Sequence, residues 1–382
     1  MKRLIVILVA CTFLLCAFRN GERKIAPKQG KCIIYCTMPA DCEGSWVYYQ
    51  DDSTQVQNGR FNLELNVDSP KIVWMYLPRY EYLEVLAEPS SVLGIDGVEG
   101  LNCVEGSSAN KDLVRYQQIV NQLDEPFQAT LKQALRMSDT STDEYKRLEK
   151  KLFDTIGVQL TSAIVDSGWV FYRQNADNLA GAYFLNSVLR MQSGHGFIYV
   201  INKTNPYWID LSQVESIVAE AHPVVRSYDD LQELLKLLRT EAEVSEGMPF
   251  KDFPAVDYLS GKPTTLGEKI KGKWAVVDFW ASWCGPCQKE IREVLIPIYN
   301  KHKDDGLVIV GVDVRDTPED HKKASERLGI QYTQIIDTAN ICYGLYGFEG
   351  IPQVFLINPE GKIVGNLRGK QLIEKVDSIF GK

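Results

Sequence analysis

The sequence predicts a mixed α/β domain over residues 247–382, with one sheet flanked by helices. Ahead of it come a small all-β sandwich or barrel over 30–106 and a helical linker region over 109–245. Three observations carry this. Short β-prone runs separated by turn signals fill 30–106, and apolar residues at i, i+3, i+4 spacing recur through 109–245. In the last segment strand-like and helical runs follow the order β-α-β-α-β-β-α. A chain of 382 residues is too long for one ordinary domain. The 45% hydrophobic content is ample for folded cores.

The chain opens with Met1-Lys-Arg3, an apolar run from Leu4 to Phe18, and then Arg19-Asn-Gly21. A basic start and a short apolar stretch read as an export leader over residues 1–20. The run is shorter than the ~20 residues of a spanning helix. Leu8-Val-Ala-Cys11 resembles a lipobox, in which Cys11 would carry a lipid and tether the chain to a membrane. A plain cleaved signal and an uncleaved anchor are the alternatives. The expected location is the cell envelope, on the periplasmic side.

Cys32–Thr37, Trp46–Tyr49, Arg60–Val67, Ile72–Leu77, Tyr82–Ala87 and Ser91–Ile95 read as strands, with Asn58-Gly59 and Asp68-Ser-Pro70 as turns. An antiparallel sandwich or barrel is the natural product. The tyrosine-rich segment from Met75 to Tyr82 reads as ordinary strand packing, with a contact surface as the alternative. From about residue 109 the pattern becomes helical. Tyr145, Leu148, Leu152, Ile156 and Leu160 form one ladder, and Leu231, Leu234, Leu235 and Leu238 another. Ser138 to Asp143 and Gly194 to Pro206 punctuate this region, and Pro223 interrupts a helix. It reads as a spacer, with an oligomer interface as the sharper alternative.

The net charge of −8 and the lack of a basic run exclude a nucleic-acid footprint. His195 and His222 lie outside any metal-ligand spacing, and Cys342 does not supply the second ligand pair that zinc requires, so no metal is expected. Of nine cysteines, Cys11 and Cys16 fall in the leader. Cys32 and Cys36 lie four apart on a strand, about 13 Å from each other and too far to bridge. Connectivity among Cys32, Cys36, Cys42, Cys103 and Cys342 stays open, and the default is a small buried hydrophobe.

The chemistry concentrates in Trp274-Ala-Val-Val-Asp-Phe-Trp-Ala-Ser-Trp-Cys284-Gly-Pro-Cys287-Gln-Lys-Glu290. Its first half reads as a buried central strand. The second half opens a helix whose apolar positions are Cys287, Ile291, Val294, Leu295 and Ile298, and Pro286 is tolerated in its first turn. Cys284 stands at the helix start, where free amides and the helix dipole lower a thiol pKa. Cys287 begins the buried stripe and is the shielded partner. Such a pair suits thiol–disulfide exchange.

The run Val277-Asp-Phe-Trp-Ala-Ser-Trp-Cys-Gly-Pro-Cys287 resembles the active-site segment of thioredoxins. Its surroundings resemble the envelope branch of that superfamily, the TlpA-type thiol:disulfide oxidoreductases, over residues 247–382. Gly350-Ile-Pro352 matches the family's cis-proline loop, and Glu290 an acidic position three places after the second Cys. The stretch around Val56 to Phe61, with Val104 to Asn110, resembles an accessory β-domain found ahead of such modules. One departure is Arg292, where many relatives carry a proline; here the proline comes at Pro297, so the helix is expected to kink or end elsewhere.

The resemblance implies a thioredoxin fold and a Cys284/Cys287 dithiol–disulfide cycle with no other cofactor. Cys284 would attack a substrate disulfide and Cys287 would resolve the mixed disulfide. Asp278, six residues before Cys284 on the buried strand, matches the family's buried acid and would accept a proton. Glu290 would modulate that transfer or be a solvated helix charge. Trp283, Gly285, Pro286, Ile351 and Pro352 would form the substrate-binding rim, with the Ile351 backbone pairing β-fashion with a bound chain. A peroxiredoxin frame would need Pro and Thr or Ser where Val277 and Ala281 stand. The implied partners are protein disulfides and a membrane thiol-relay electron donor. Gly285-Pro286 resembles reducing members; disulfide isomerase and redox-sensitive scaffold are the alternatives.

Overall fold

The computed structural model describes residues 26–49, 52–137, 142–196 and 207–381. The expected leader with Cys11 and Cys16, the punctuation at 138–141 and the loop 197–206 lie outside these residues. The described chain falls into two compact units. The first runs to Ile209 and includes Ile217–Tyr228; the second comprises Asp210–Ser216 and Asp229 onward.

The first unit begins with eight strands: β1 Lys31–Thr37, β2 Trp46–Tyr49, β3 Asp52–Gln55, β4 Arg60–Asn66, β5 Lys71–Leu77, β6 Glu81–Ala87, β7 Ser91–Asp96 and β8 Asn102–Glu105. They form two four-stranded sheets, ordered β4-β1-β7-β8 and β3-β2-β5-β6. Alternate residues such as Phe61, Leu63, Leu65, Val73, Met75 and Leu77 fill one shared core. β1 and β7 pair in parallel, so one sheet is mixed where a purely antiparallel arrangement was expected. β3 and β8 carry too few apolar residues to signal themselves in sequence, and both lie at sheet edges. The tyrosine-rich segment splits by strand alternation: Met75 and Leu77 are buried, while Tyr76 and Tyr82 stand exposed in an edge-to-face pair 5.7 Å apart. Trp46, Tyr48 and Trp74, outside this segment, are exposed as well, while Tyr80 within it packs against the core. The free cysteines Cys32, Cys36 and Cys42 are buried here, and Cys103 is half-buried.

Helices α1 Ser108–Leu135, α2 Asp143–Lys150, α3 Gly157–Gln174 and α4 Leu179–Gln192 follow. Residues Lys151–Ile156 join α2 to α3 as a π-type turn. Tyr116, Ile164, Phe171, Phe184 and Val188 pack with Leu86 and Ile72 of the sheet. The side chain of Asn110 brackets the edge strand β6, accepting from the Leu86 amide at 2.9 Å and donating to the Leu86 carbonyl at 2.8 Å. It thereby occupies a pairing position that an edge strand otherwise leaves open.

In the second unit, β9 Pro254–Asp257 and β10 Pro263–Thr265 precede β11 Ala275–Trp280, β12 Val308–Asp313, β13 Thr333–Ile336, β14 Gln353–Ile357 and β15 Ile363–Asn366. The sheet order is β10-β9-β13-β12-β11-β14-β15. β11 pairs in parallel with β12 and antiparallel with β14, and every residue in it is buried. Its side chains alternate between two cores. Ala275, Val277 and Phe279 face one. Val276 and Trp280 face the other, which holds Cys284, Cys287 and the helix that starts at Gly285. Asp278 shares their face by the same alternation.

That helix runs as α5 Gly285–Glu290, a π-type turn Ile291–Leu295, and α6 Ile296–His302. The π turn ends two residues before Pro297, which lacks the amide an α-helical ladder needs; the extra residue lets the helix continue through the proline. α7 Pro318–Leu328 covers the same face, and α8 Cys342–Tyr346 lies between β13 and β14 in the chain. α9 Gly369–Phe380 contributes Leu372 and Val376 to the core on that face. β13 and α8 lie outside the sequence-based element order. Thr333–Ile336 is four residues long, and α8 is a single short turn of helix.

Candidate redox site

β11 ends at Trp280, and Ala281-Ser-Trp283 carries the chain to Cys284, the N-cap of α5. Cys284 and Cys287 are joined by a disulfide, with Cα atoms 5.3 Å apart. The Cys287 amide points at the Cys284 sulfur from 3.2 Å. This is the helix-start environment that stabilises a thiolate once the bond is reduced. Cys284 is 4% exposed and Cys287 0%. The Cys284 sulfur is thus less open than a helix-start position implies, because Ile351 and the core packed on the helix crowd it in the oxidised form. What access exists is on the side of Cys284.

Around it, Trp283, Gly285 and Pro286 are exposed. The Ile351–Pro352 peptide bond is cis, and the Ile351 carbonyl oxygen lies 3.7 Å from the Cys284 sulfur. Four of the five expected rim residues therefore border the disulfide directly through chain or space. Pro352 is itself buried, and its carbonyl accepts from Arg368 at 3.2 Å.

Asp278 is fully buried, and neither carboxylate oxygen has a hydrogen-bond partner. Burial, and then the charge of Glu290, push its pKa well above the usual carboxylate range. Glu290 is half-buried and accepts the Gly369 amide at 2.7 Å, so it is not a solvated helix charge. The Tyr332 hydroxyl is also buried without a partner, and burial followed by the Asp278 charge makes it a weaker acid still.

Several contacts at the site have no sequence signal. Asp316 accepts from the Ser282 amide at 2.5 Å and the Ser282 hydroxyl at 2.9 Å. Trp283 donates its indole N–H to the Arg315 carbonyl at 3.1 Å. Arg315 adopts φ 56°, unusual for a residue with a side chain, and its guanidinium stacks on Tyr343 at 3.6 Å. Gln288 donates to the Ser282 carbonyl at 2.6 Å and accepts from Arg327 at 3.0 Å. Asp316, Arg315 and Arg327 reach this segment from 32 to 39 residues away, which spacing along the chain does not reveal.

Beyond Trp280 lies a second buried polar group. The Trp280 indole donates to Gln334 at 2.9 Å, and a Cβ on Gly311 would come within 2.3 Å of that Gln334 amide, so the glycine makes room for it. His321 sits 5.0 Å from the Trp280 ring, with Nδ1 3.2 Å from Asp313. Burial lowers the His321 pKa to about 4 and raises that of Asp313 to about 8. The pair is therefore neutral over most of that range. Among the described residues no three His, Cys, Asp or Glu side chains are grouped to hold a metal ion.

Residues 247–365 match the AhpC/TSA family. The thiol-disulfide oxidoreductase ResA of Bacillus thuringiensis (strain Al Hakam) is 32% identical over 124 residues, which are 32% of this chain and 70% of the relative. The thiol:disulfide interchange protein HelX of Rhodobacter capsulatus is 34% identical over 108 residues, 28% of this chain and 58% of that protein. Among solved structures, the thioredoxin domain of a thiol-disulfide oxidoreductase from Bacteroides vulgatus is 34% identical. It covers 36% of this chain and 98% of its own, with a TM-score of 0.33.

Proposed function

This chain belongs to the thioredoxin-like thiol-disulfide oxidoreductases, the family of the ResA proteins, and on that footing we propose that it reduces protein disulfides in the cell envelope. The observation that carries the reading is the Cys284–Cys287 disulfide, seated at a strand–helix junction beside the Ile351 carbonyl and on the face of β11 that holds buried Asp278.

In the reduced enzyme the Cys284 thiolate attacks one sulfur of a substrate disulfide. A mixed disulfide forms and the other substrate sulfur leaves as a thiolate. Cys287 then gives up its proton and attacks the Cys284 sulfur. The enzyme disulfide forms, the second substrate sulfur leaves, and two electrons have passed to the substrate. Asp278 takes the Cys287 proton; burial raises its pKa, which makes it a stronger base than an ordinary carboxylate and supports this role. Glu290 modulates the transfer through its charge. Trp283, Gly285 and Pro286 line the approach, and the backbone at Ile351 and Pro352 receives the substrate chain.

A dithiol donor must restore the reduced form. A membrane thiol-relay protein is the proposed donor, by family resemblance; residues 1–20 read as an export leader in which Cys11 would carry the lipid anchor. Among the described residues no helix is long and apolar enough to cross a membrane.

The test is reduction of insulin with dithiothreitol as donor. The expected result is turnover by the full chain and its loss in Cys284→Ala; a scaffold would show little turnover and no loss. Measuring the potential of the Cys284–Cys287 couple fixes direction. A value near the −270 mV typical of thioredoxin fits a reductase, and one near −120 mV would turn the reading toward an oxidant or isomerase.

A further inference from the structure

We propose that Arg368, in the corner between β15 and α9, is a positioning residue that sets the docking edge for peptide substrates; this rests on the reductase reading above. Its Nη1 donates to the Pro352 carbonyl at 3.2 Å. That carbonyl belongs to the residue after Ile351, whose own oxygen lies 3.7 Å from the Cys284 sulfur. Holding the Pro352 carbonyl restricts rotation of the adjoining peptide planes. The edge a substrate backbone would pair with is thereby kept in register with the nucleophile.

The rest of the corner grips the same loop. Asn366 accepts from the Val354 amide at 3.2 Å and donates to the Gln353 side chain at 2.5 Å. Gln353 in turn donates to the Gly350 carbonyl at 2.9 Å. The Leu367 amide donates to the Val354 carbonyl at 2.8 Å. The next residue, Gly369, has φ 55°, a conformation side-chain-bearing residues rarely adopt, and its amide is the one held by Glu290. Four consecutive residues thus join the loop bearing Ile351 and Pro352 to the helix bearing Cys287 and Glu290. Arg368 is exposed to solvent, as is Asn366, so apart from the bond to Pro352 its guanidinium serves no core packing.

A peptide needs the docking edge, whereas a small disulfide without a backbone does not. The experiment is single-turnover oxidation of the pre-reduced full chain by insulin and by the small disulfide DTNB, counting thiols over time. In Arg368→Met the half-saturating insulin concentration should rise about tenfold, the loss of one charge-assisted hydrogen bond. The rate with DTNB should fall less than about twofold. Arg368→Lys, which keeps a cationic donor, should recover most of the insulin effect. Equal losses on both substrates, or no change on either, would overturn the inference while leaving the reductase reading intact. A wild-type chain that reduces neither substrate would remove the reductase reading and the inference with it.

Discussion

Asp316 accepts both the amide and the hydroxyl of Ser282, two residues before Cys284, and so fixes the approach to the nucleophile from the loop after β12. Asp316→Ala should cost about 1.5–3 kcal/mol, the range for hydrogen bonds to a charged group, read by urea unfolding of the oxidised chain. Asp316→Asn, with one acceptor oxygen left, should fall between. Wild-type midpoints in both variants would show that the clamp contributes nothing.

Asp278 has no hydrogen-bond partner for either oxygen, which is costly unless the group has a role. Asp278→Asn keeps the shape and removes the base. Release of substrate from the mixed disulfide should slow by about 10²–10⁴-fold, the usual worth of a positioned base. Acid-quenched samples separated by mass would show the adduct accumulating. Unchanged release would assign the proton to another acceptor.

The Asp313–His321 pair gives a pH dependence with two opposed parts. His321 has its pKa lowered from 6.5 to about 4, so its contribution to stability is present above pH 6.5 and lost as pH falls toward 4. Asp313 has its pKa raised from 3.8 to about 8, so its contribution is present below pH 3.8 and lost as pH rises through 8. The two offset each other between about pH 4 and 6.5. From there to pH 8 the fall remains, at no more than about 1.4 kcal/mol per pH unit. Asp278 contributes in the same sense, so the quantity to measure is the unfolding free energy of wild type minus that of Asp313→Asn. A difference that does not vary between pH 6.5 and 8 would contradict the assignment.

Asn110 supplies both halves of a missing ladder position at Leu86. Asn110→Ala leaves a buried amide and carbonyl unpaired and should cost about 1–3 kcal/mol in denaturant unfolding. A change under ~0.5 kcal/mol would mean that water replaces the side chain.

The sequence and the structure agree where a pattern is local and strong. β11 has six buried residues with no Gly or Pro, and Pro318–Leu328 carries a proline at its start and a glycine after its end. Asn358 to Gly361 likewise mark the turn between β14 and β15. Short edge strands such as β3 and β8 escaped, because their partners rather than their own composition hold them. The parallel pairing of β1 with β7 escaped too, since turn signals report neighbours in sequence and not long-range pairing. At the redox site, the cysteine pair, Asp278 and the proline loop were legible from spacing and resemblance. Asp316, Arg315, Gln288 and Arg368 were not. Asp316 and Arg368 bond backbone atoms of distant segments, Arg315 offers its own carbonyl to Trp283, and Gln288 bonds the Ser282 carbonyl. Contacts that run through backbone atoms place no demand on residue type at a fixed spacing.

The most direct test is to trap the mixed disulfide with each cysteine removed in turn. Reduced Cys287→Ser incubated with insulin should form a covalent adduct through Cys284, while Cys284→Ser should form none at Cys287. Adducts on Cys287 alone, or on neither cysteine, would contradict the exchange mechanism.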